Sequence, residues 1–454
     1  MSTIGVGGFS KGRDELISSE FDVYSNPIYE KGYAGYEDVE VRPTATASSS
    51  GPFHFFFPRD PYKLTQAQSL KVKGKMRIRK LTNGTLSDMS ADENVSTIND
   101  PFKSLFSSIS TKINGVEISD VTNKWYPYKS YFEDHLSYSS PTKAKVLKSK
   151  GYIADTAEHF DDVATSTQKP SDSKNKGYSE RAKWFEKSKW KYFNTNIHAD
   201  ITTLRKNLPR NIQLDIQLDR TPDSFVLLTP NDVKNYVIEI EDLRMSVRRF
   251  IPSATVNELY ESGQKKKYPL DRSLIKTFTI VSGTNDLSVY SAIKGDQIPD
   301  QMIVVMVEEE AYRGTNKLNP FNFKHHKLKE ASAVVNGSHI PANKIKMDVD
   351  KFDTADIFDT MLENAGVSND DREFGITEHD FLNGSFFLIW DFSPDKCNRF
   401  HRHDLGIGNL DINIKLAEET SKTMKILVYS TYSHDMIIDK DANIVIDKNI
   451  MAPF

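Results

Sequence analysis

The chain carries one ordered set of markers twice. Asn99-Asp100-Pro101-Phe102 leads to Asn114-Gly115-Val116-Glu117-Ile118, and Leu318-Asn319-Pro320-Phe321 leads to Asn336-Gly337-Ser338-His339-Ile340. A short helical pattern follows each, around Tyr131, Phe132 and Leu136 in the first and Ile357, Phe358 and Leu362 in the second. A second pair of markers closes each half. Asn211 to Leu218 matches Asn409 to Leu416, and an apolar run comes next, Phe225 to Leu228 or Ile426 to Tyr429. The markers keep their order at a separation of roughly 200–220 residues. That period is too long for a solenoid. It describes a duplicated domain.

The repeated unit reads as β structure. Asn-Gly tolerates the positive φ of a tight hairpin turn. Leu70 to Leu81 alternates with period two, as a strand with one buried face does. Met302 to Val307 is apolar throughout, as a strand buried on both faces would be. Further strand patterns cover Phe53–Phe57, Trp190–Ile197, Ile212–Leu218, Tyr236–Phe250, Leu274–Val281, Leu287–Ile293, Ala333–Ile340, Phe386–Phe392 and Met424–Tyr429. Helical patterns are few: Tyr128–Tyr138, Ser179–Phe185 and Thr354–Ala365. Many short strands separated by turn residues point to sandwiches or barrels. The expectation is an all-β chain of two tandem eight-stranded jelly rolls, a double jelly roll, with a few short helices in loops and an extended N-terminal arm. The arm covers 1–50, the first roll 51–232 and the second 233–454, with the turn Pro230-Asn231-Asp232 at the seam.

Composition narrows the function. With 59 Lys+Arg against 63 Asp+Glu, the net charge of −4 gives no support to nucleic-acid binding by the whole chain. The single cysteine, Cys397, excludes an intrachain disulfide and a thiolate zinc site. No apolar run reaches the ~18 residues that span a bilayer. The N-terminus lacks the apolar stretch of a signal peptide, so the expected setting is the cell interior or a particle assembled there.

No catalytic pattern stands out. Asp439-Lys440-Asp441-Ala442-Asn443 opens like a calcium loop but has Ile444 and Ile450 where Gly and Glu are needed, so it reads as a hairpin turn. His401 and His403 flank Arg402, a poor start for a metal site. Nucleotide-binding and hydrolase motifs are missing. The expectation is a non-enzyme without cofactor or metal. Two sets of residues are candidates for contact. Lys71, Lys73, Lys75, Arg77 and Arg79 share one strand face and would attract a polyanion, or pair with acidic neighbours such as Glu239 and Glu241. Tyr24, Tyr29, Tyr33 and Tyr36 in the arm offer aromatic area for a neighbouring subunit.

In the first half stand Asn114–Ile118, Tyr126-Pro-Tyr-Lys-Ser-Tyr131 and Leu136-Ser-Tyr138; in the second stand Asn319-Pro-Phe321, Val335-Asn-Gly337, Phe387 to Asp395, Gly408 to Ile412 and Ile426 to Tyr429. In this order they resemble the capsid proteins of Polinton/Maverick elements and adintoviruses. The resemblance spans roughly residues 95–450. It implies a double jelly-roll major capsid protein, distantly akin to adenovirus hexon. Three copies would form a pseudo-hexagonal capsomer, and capsomers would tile an icosahedral shell in the virion. Its partners would be itself, a minor capsid or penton protein, and packaged DNA through weak electrostatic contact. The alternatives are a minor vertex protein or a carbohydrate-binding attachment protein, with Trp125, Tyr126 and Tyr128 as an aromatic platform.

Overall fold

The computed structural model describes residues 31–44, 51–118, 125–163, 168–230, 236–367, 373–396, 402–403 and 406–447. Eight principal strands build the first roll: β1 (Tyr33–Val41), β2 (Phe53–Phe57), β3 (Leu64–Thr82), β4 (Phe106–Ile113), β5 (Val116–Glu117), β6 (Lys191–Asn196), β7 (Leu214–Arg220) and β8 (Tyr236–Pro252). Eight more build the second: β9 (Lys266–Ile280), β10 (Asp286–Gln297), β11 (Gln301–Glu308), β12 (Leu328–Val335), β13 (Ser338–Lys346), β14 (Leu388–Asp391), β15 (Ile407–Leu416) and β16 (Met424–Ile438).

The sheet orders are β1-β8-β3-β6 and β2-β7-β4-β5 in the first roll. In the second they are β9-β16-β11-β14 and β10-β15-β12-β13. Each strand of the first roll therefore has its counterpart eight strands later, in the same sheet position. All these pairings are antiparallel. The duplication read from the sequence is an architectural one, and the fold is the double jelly roll.

The repeated hairpin signals have a common cause. Asn114 and Gly115 join β4 to β5 with φ of 49° and 84°. Asn336 and Gly337 join β12 to β13 with φ of 49° and 84°. Both residues of each turn are left-handed, the geometry that matches strand twist in two-residue hairpins. The expected single strand Ala333–Ile340 is this hairpin. Alternation in β3 places Val72, Met76 and Ile78 in the core and the cations outside. β11 is buried along almost its whole length, as its apolar sequence requires.

Three expectations need correction. First, the seam at 232/233 does not separate the sheets. β8 lies beyond it yet pairs with β3 from Tyr236↔Lys80 to Phe250↔Leu64, so the first roll runs to Pro252. The chain crosses to β9 through a short helix, Ala254–Glu261.

Second, part of the expected arm is not free of its own roll. Residues of β1 pair with β8 from Gly35↔Ile251 to Val41↔Met245, forming an edge strand of the first roll. Its sequence hides this because one face is polar and exposed; only Val39 and Val41 pack toward the core.

Third, the closing markers are out of step. Ile113 faces Leu214 and Val335 faces Leu410, so Leu214 corresponds to Leu410. Matching Asn211 to Asn409 is off by two residues, a shift that leaves the inward and outward faces unchanged and is invisible to a period-two pattern. Likewise Phe225 and Val226 belong to a helical turn, and Leu227–Leu228 pairs with Ser96–Thr97. The partner of β16 in the repeat is β8.

Candidate assembly surfaces

The two rolls are joined by aromatic packing. Helix α1 (Trp125–Ser137) leaves the first roll between β5 and β6 and lies on the outer face of the β9-β16-β11-β14 sheet. Tyr131 stacks on Phe321 at 4.3 Å between ring centroids and 12° between planes. Phe132 meets Phe323, Phe387 and Tyr429 at 5.8, 5.9 and 5.6 Å. Tyr128 meets Phe225, Phe321 and Tyr312 at 6.0, 5.8 and 6.0 Å. Tyr126 and Tyr128 are fully buried, so neither contributes to an exposed glycan platform. The Tyr429 hydroxyl donates to Glu133 at 3.1 Å. The buried aromatic residues of both rolls form one continuous core.

Charged groups of the first roll, most of them buried, bond across this junction. Arg181 is fully buried, pairs with Asp155 and donates to the carbonyls of Thr97 and Ile153 at 2.8 and 2.6 Å. The other Asp155 oxygen accepts from Asn319 of the second roll at 3.0 Å. Asp161 accepts from the Asn319 backbone at 2.8 Å and pairs with Lys324 at 3.3 Å. On α1, Lys129 pairs with Asp200 and donates to Ser273 of β9 at 2.6 Å. Both buried ion pairs lie within the first roll and reach the second through hydrogen bonds to Asn319 and Ser273, bonds that a slip between the rolls would break.

A second buried group sits within the first roll. Lys103 lies between Asp100 and Asp134, and His198 contacts Asp134 at 2.9 Å. Burial opposes ionisation of Asp134, but Lys103 and His198 outweigh it and hold the carboxyl well below its ordinary range. Burial drives the Asp100 carboxyl upward, and the Asp134 charge adds to the effect. A cleft of about 530 Å³ opens beside this group, with Lys150, Arg205, Glu133 and Asp271 on its walls.

The cationic strip of β3 occupies the outer face of the β1-β8-β3-β6 sheet, where its neighbours are acidic. Lys73 pairs with Glu40 at 2.7 Å, Lys75 with Glu241 at 2.8 Å and Arg77 with Glu239 at 2.7 Å. Arg79 reaches Asp88 at 3.3 Å and Glu239 at 3.6 Å. Lys71 points to the same face, opposite Ser246 and Asn196. Lys75 and Arg77 both lie 4.4 Å from the Trp190 ring. The carboxylates come from β8 and β1 and from the Asp88 turn. On the β6 side the residues are Trp190, Tyr192 and Asn194, with no acid from Lys187 to Asn196.

Of the arm tyrosines, Tyr33 packs on Phe250 at 4.5 Å and its hydroxyl accepts from Asn207 at 3.1 Å. Tyr36 is 65% exposed, with the Arg248 guanidinium 4.9 Å from its ring. Tyr24, Tyr29, His401 and Cys397 lie outside the described residues. His403 pairs with Asp395 at 2.9 Å, and among the described residues no cluster of three His, Cys, Asp or Glu could hold a metal. Asp439 accepts from the backbones of Asp441 and Asn443, both at 2.9 Å, closing the hairpin expected there. No helix among the described residues is long and apolar enough to cross a membrane.

No protein-family profile matches the chain. An uncharacterised protein of Caenorhabditis elegans is 21% identical over 362 residues, covering 77% of this chain and 81% of its own length. The fold is similar to a chain in the cryo-EM structure of the Sputnik virophage, with a TM-score of 0.65, 10% identity, and coverage of 99% of this chain and 96% of that one. It is similar to the mavirus major capsid protein at a TM-score of 0.55 and 12% identity, covering 100% and 97%. The Faustovirus major capsid protein gives 0.53 and 8%, covering 92% and 93%.

Proposed function

We propose that the chain is the major capsid subunit of an icosahedral virus-like particle, of the Polinton/Maverick and adintovirus type. The observation that carries this reading is the full-length match, both rolls together, to chains of virus particles that include two major capsid proteins. The role is structural: the conspicuous buried charges pair with one another inside the first roll, and Asp155 and Lys129 bond on to Asn319 and Ser273 of the second. Three copies close into a capsomer of six rolls, and capsomers pack into a shell. Residues 1–30, with Tyr24 and Tyr29, tie neighbouring capsomers or meet a minor capsid protein. The test is light scattering on the purified chain, followed by electron microscopy. A trimer that resists dilution and assembles into shells is the expected result. A folded monomer at micromolar concentration overturns the reading.

A further inference from the structure

The junction between the rolls uses two surfaces, and each has a repeat-related counterpart with an exposed side among the described residues. The covered surface is the outer face of β9-β16-β11-β14. Its counterpart is the outer face of β1-β8-β3-β6, where Tyr36 and Tyr192 are 65% and 70% exposed. The covering segment is α1, between β5 and β6. Its counterpart is the segment between β13 and β14, containing helix α2 (Ala355–Asn364). Ile357 and Met361 of α2 are buried against its own roll, whereas Asp356, Asp359 and Glu363 are exposed. Just before it, Phe352 is 91% exposed at the tip of a turn, with φ of 57°. A bulky side chain rarely adopts that backbone region.

These two leftovers are complementary in charge. From Asp348 to Glu363 the segment has six acidic residues and one lysine. On the other surface, the segment leading into β6 exposes Lys187 and Lys189, after the single acid Glu186, beside Trp190 and Tyr192, while Lys191 turns to the Trp184 ring at 4.8 Å. Exposed tyrosine and phenylalanine supply the aromatic area enriched in interface centres, and the charges around them supply a complementary rim.

We propose that the α2 segment of one copy, with Phe352 leading, docks on the β6 side of the β1-β8-β3-β6 face of a second copy. The contact is heterologous, head to tail, and such contacts close into rings when the rotation allows. It repeats between chains the arrangement that α1 makes within one. This rests on the capsid-subunit reading, and it assigns Lys187 and Lys189, just before β6, to a protein partner.

The experiment uses the full chain and two charge reversals, Asp356→Lys with Asp359→Lys, and Lys187→Glu with Lys189→Glu. Sedimentation over a dilution series should show each pair weakening self-association by about tenfold or more. A chain carrying all four substitutions should recover it, because both signs are exchanged. Phe352→Ala and Tyr192→Ala, at exposed positions, repeat the test without altering charge and should weaken association too. Association unchanged in both reversals, or no recovery in the combined chain, overturns the proposal. So does a basic-pair variant that loses retention on duplex DNA while associating normally. A wild-type chain that stays monomeric removes the capsid reading itself. A trimeric wild type with indifferent variants removes only this contact.

Discussion

Asn114 and Asn336 make the same two bonds in the two rolls. The Asn114 backbone donates to Gln213 at 3.1 Å, and its side-chain oxygen accepts from the Gln213 backbone at 2.9 Å. Asn336 does the same with Asn409, at 3.0 and 2.9 Å. Each asparagine thereby ties its hairpin to the start of the neighbouring strand, β7 or β15. Asn114 makes one bond more: its amide donates to the Ala442 carbonyl of the second roll at 3.1 Å.

Replacing either asparagine with alanine removes a residue that tolerates positive φ, along with one side-chain bond. The expected loss is about 1–2 kcal/mol for Asn336→Ala, and more for Asn114→Ala, which also cuts the link to Ala442. Urea unfolding of the two variants reads the difference. Equal losses would mean that the Ala442 bond contributes nothing.

Tyr131→Ala and Phe321→Ala each empty half of a stacked pair in the junction. Losses of about 3–5 kcal/mol are expected. The double variant should lose less than the sum, because the two rings share one contact. An additive double variant would show that the rolls do not depend on this stack.

Asp134→Asn leaves Lys103 buried with a weaker counter-charge and should cost about 3–5 kcal/mol near neutral pH. The folded carboxyl of Asp134 is depressed, so its stabilisation is present above the unfolded value near 3.8 and is lost as pH falls below it. The gap between wild type and variant should therefore shrink on acidification, measured as unfolding free energy between pH 7 and 3. A constant gap would show that the charge of Asp134 is not what holds Lys103.

Deleting residues 2–45 removes β1 and bares the edge of β8. The melting midpoint should fall, whereas deleting residues 2–30 keeps every β1–β8 pairing and should melt higher. Equal midpoints for the two deletions would show that β1 adds nothing to the first roll.

The sequence by itself determined what local chemistry and alternation can encode. Asn-Gly at 114–115 and 336–337 required left-handed turns, and those turns mark the same hairpin in both rolls. Alternation in β3 named its buried face, and the unbroken apolar run of β11 announced burial on both sides. Only the tertiary structure decided which distant segments meet. β1 has too few apolar residues to declare itself, and it is a strand because β8, some 200 residues on, supplies its hydrogen bonds. The two-residue offset between β7 and β15 is silent in the pattern, since it leaves every side chain on its own face. Acidic partners for Lys73, Lys75 and Arg77 come from β1 and β8. The seam moved past Pro252 for the same reason: turn residues end a strand, but pairing across the sheet decides the roll to which the next strand belongs.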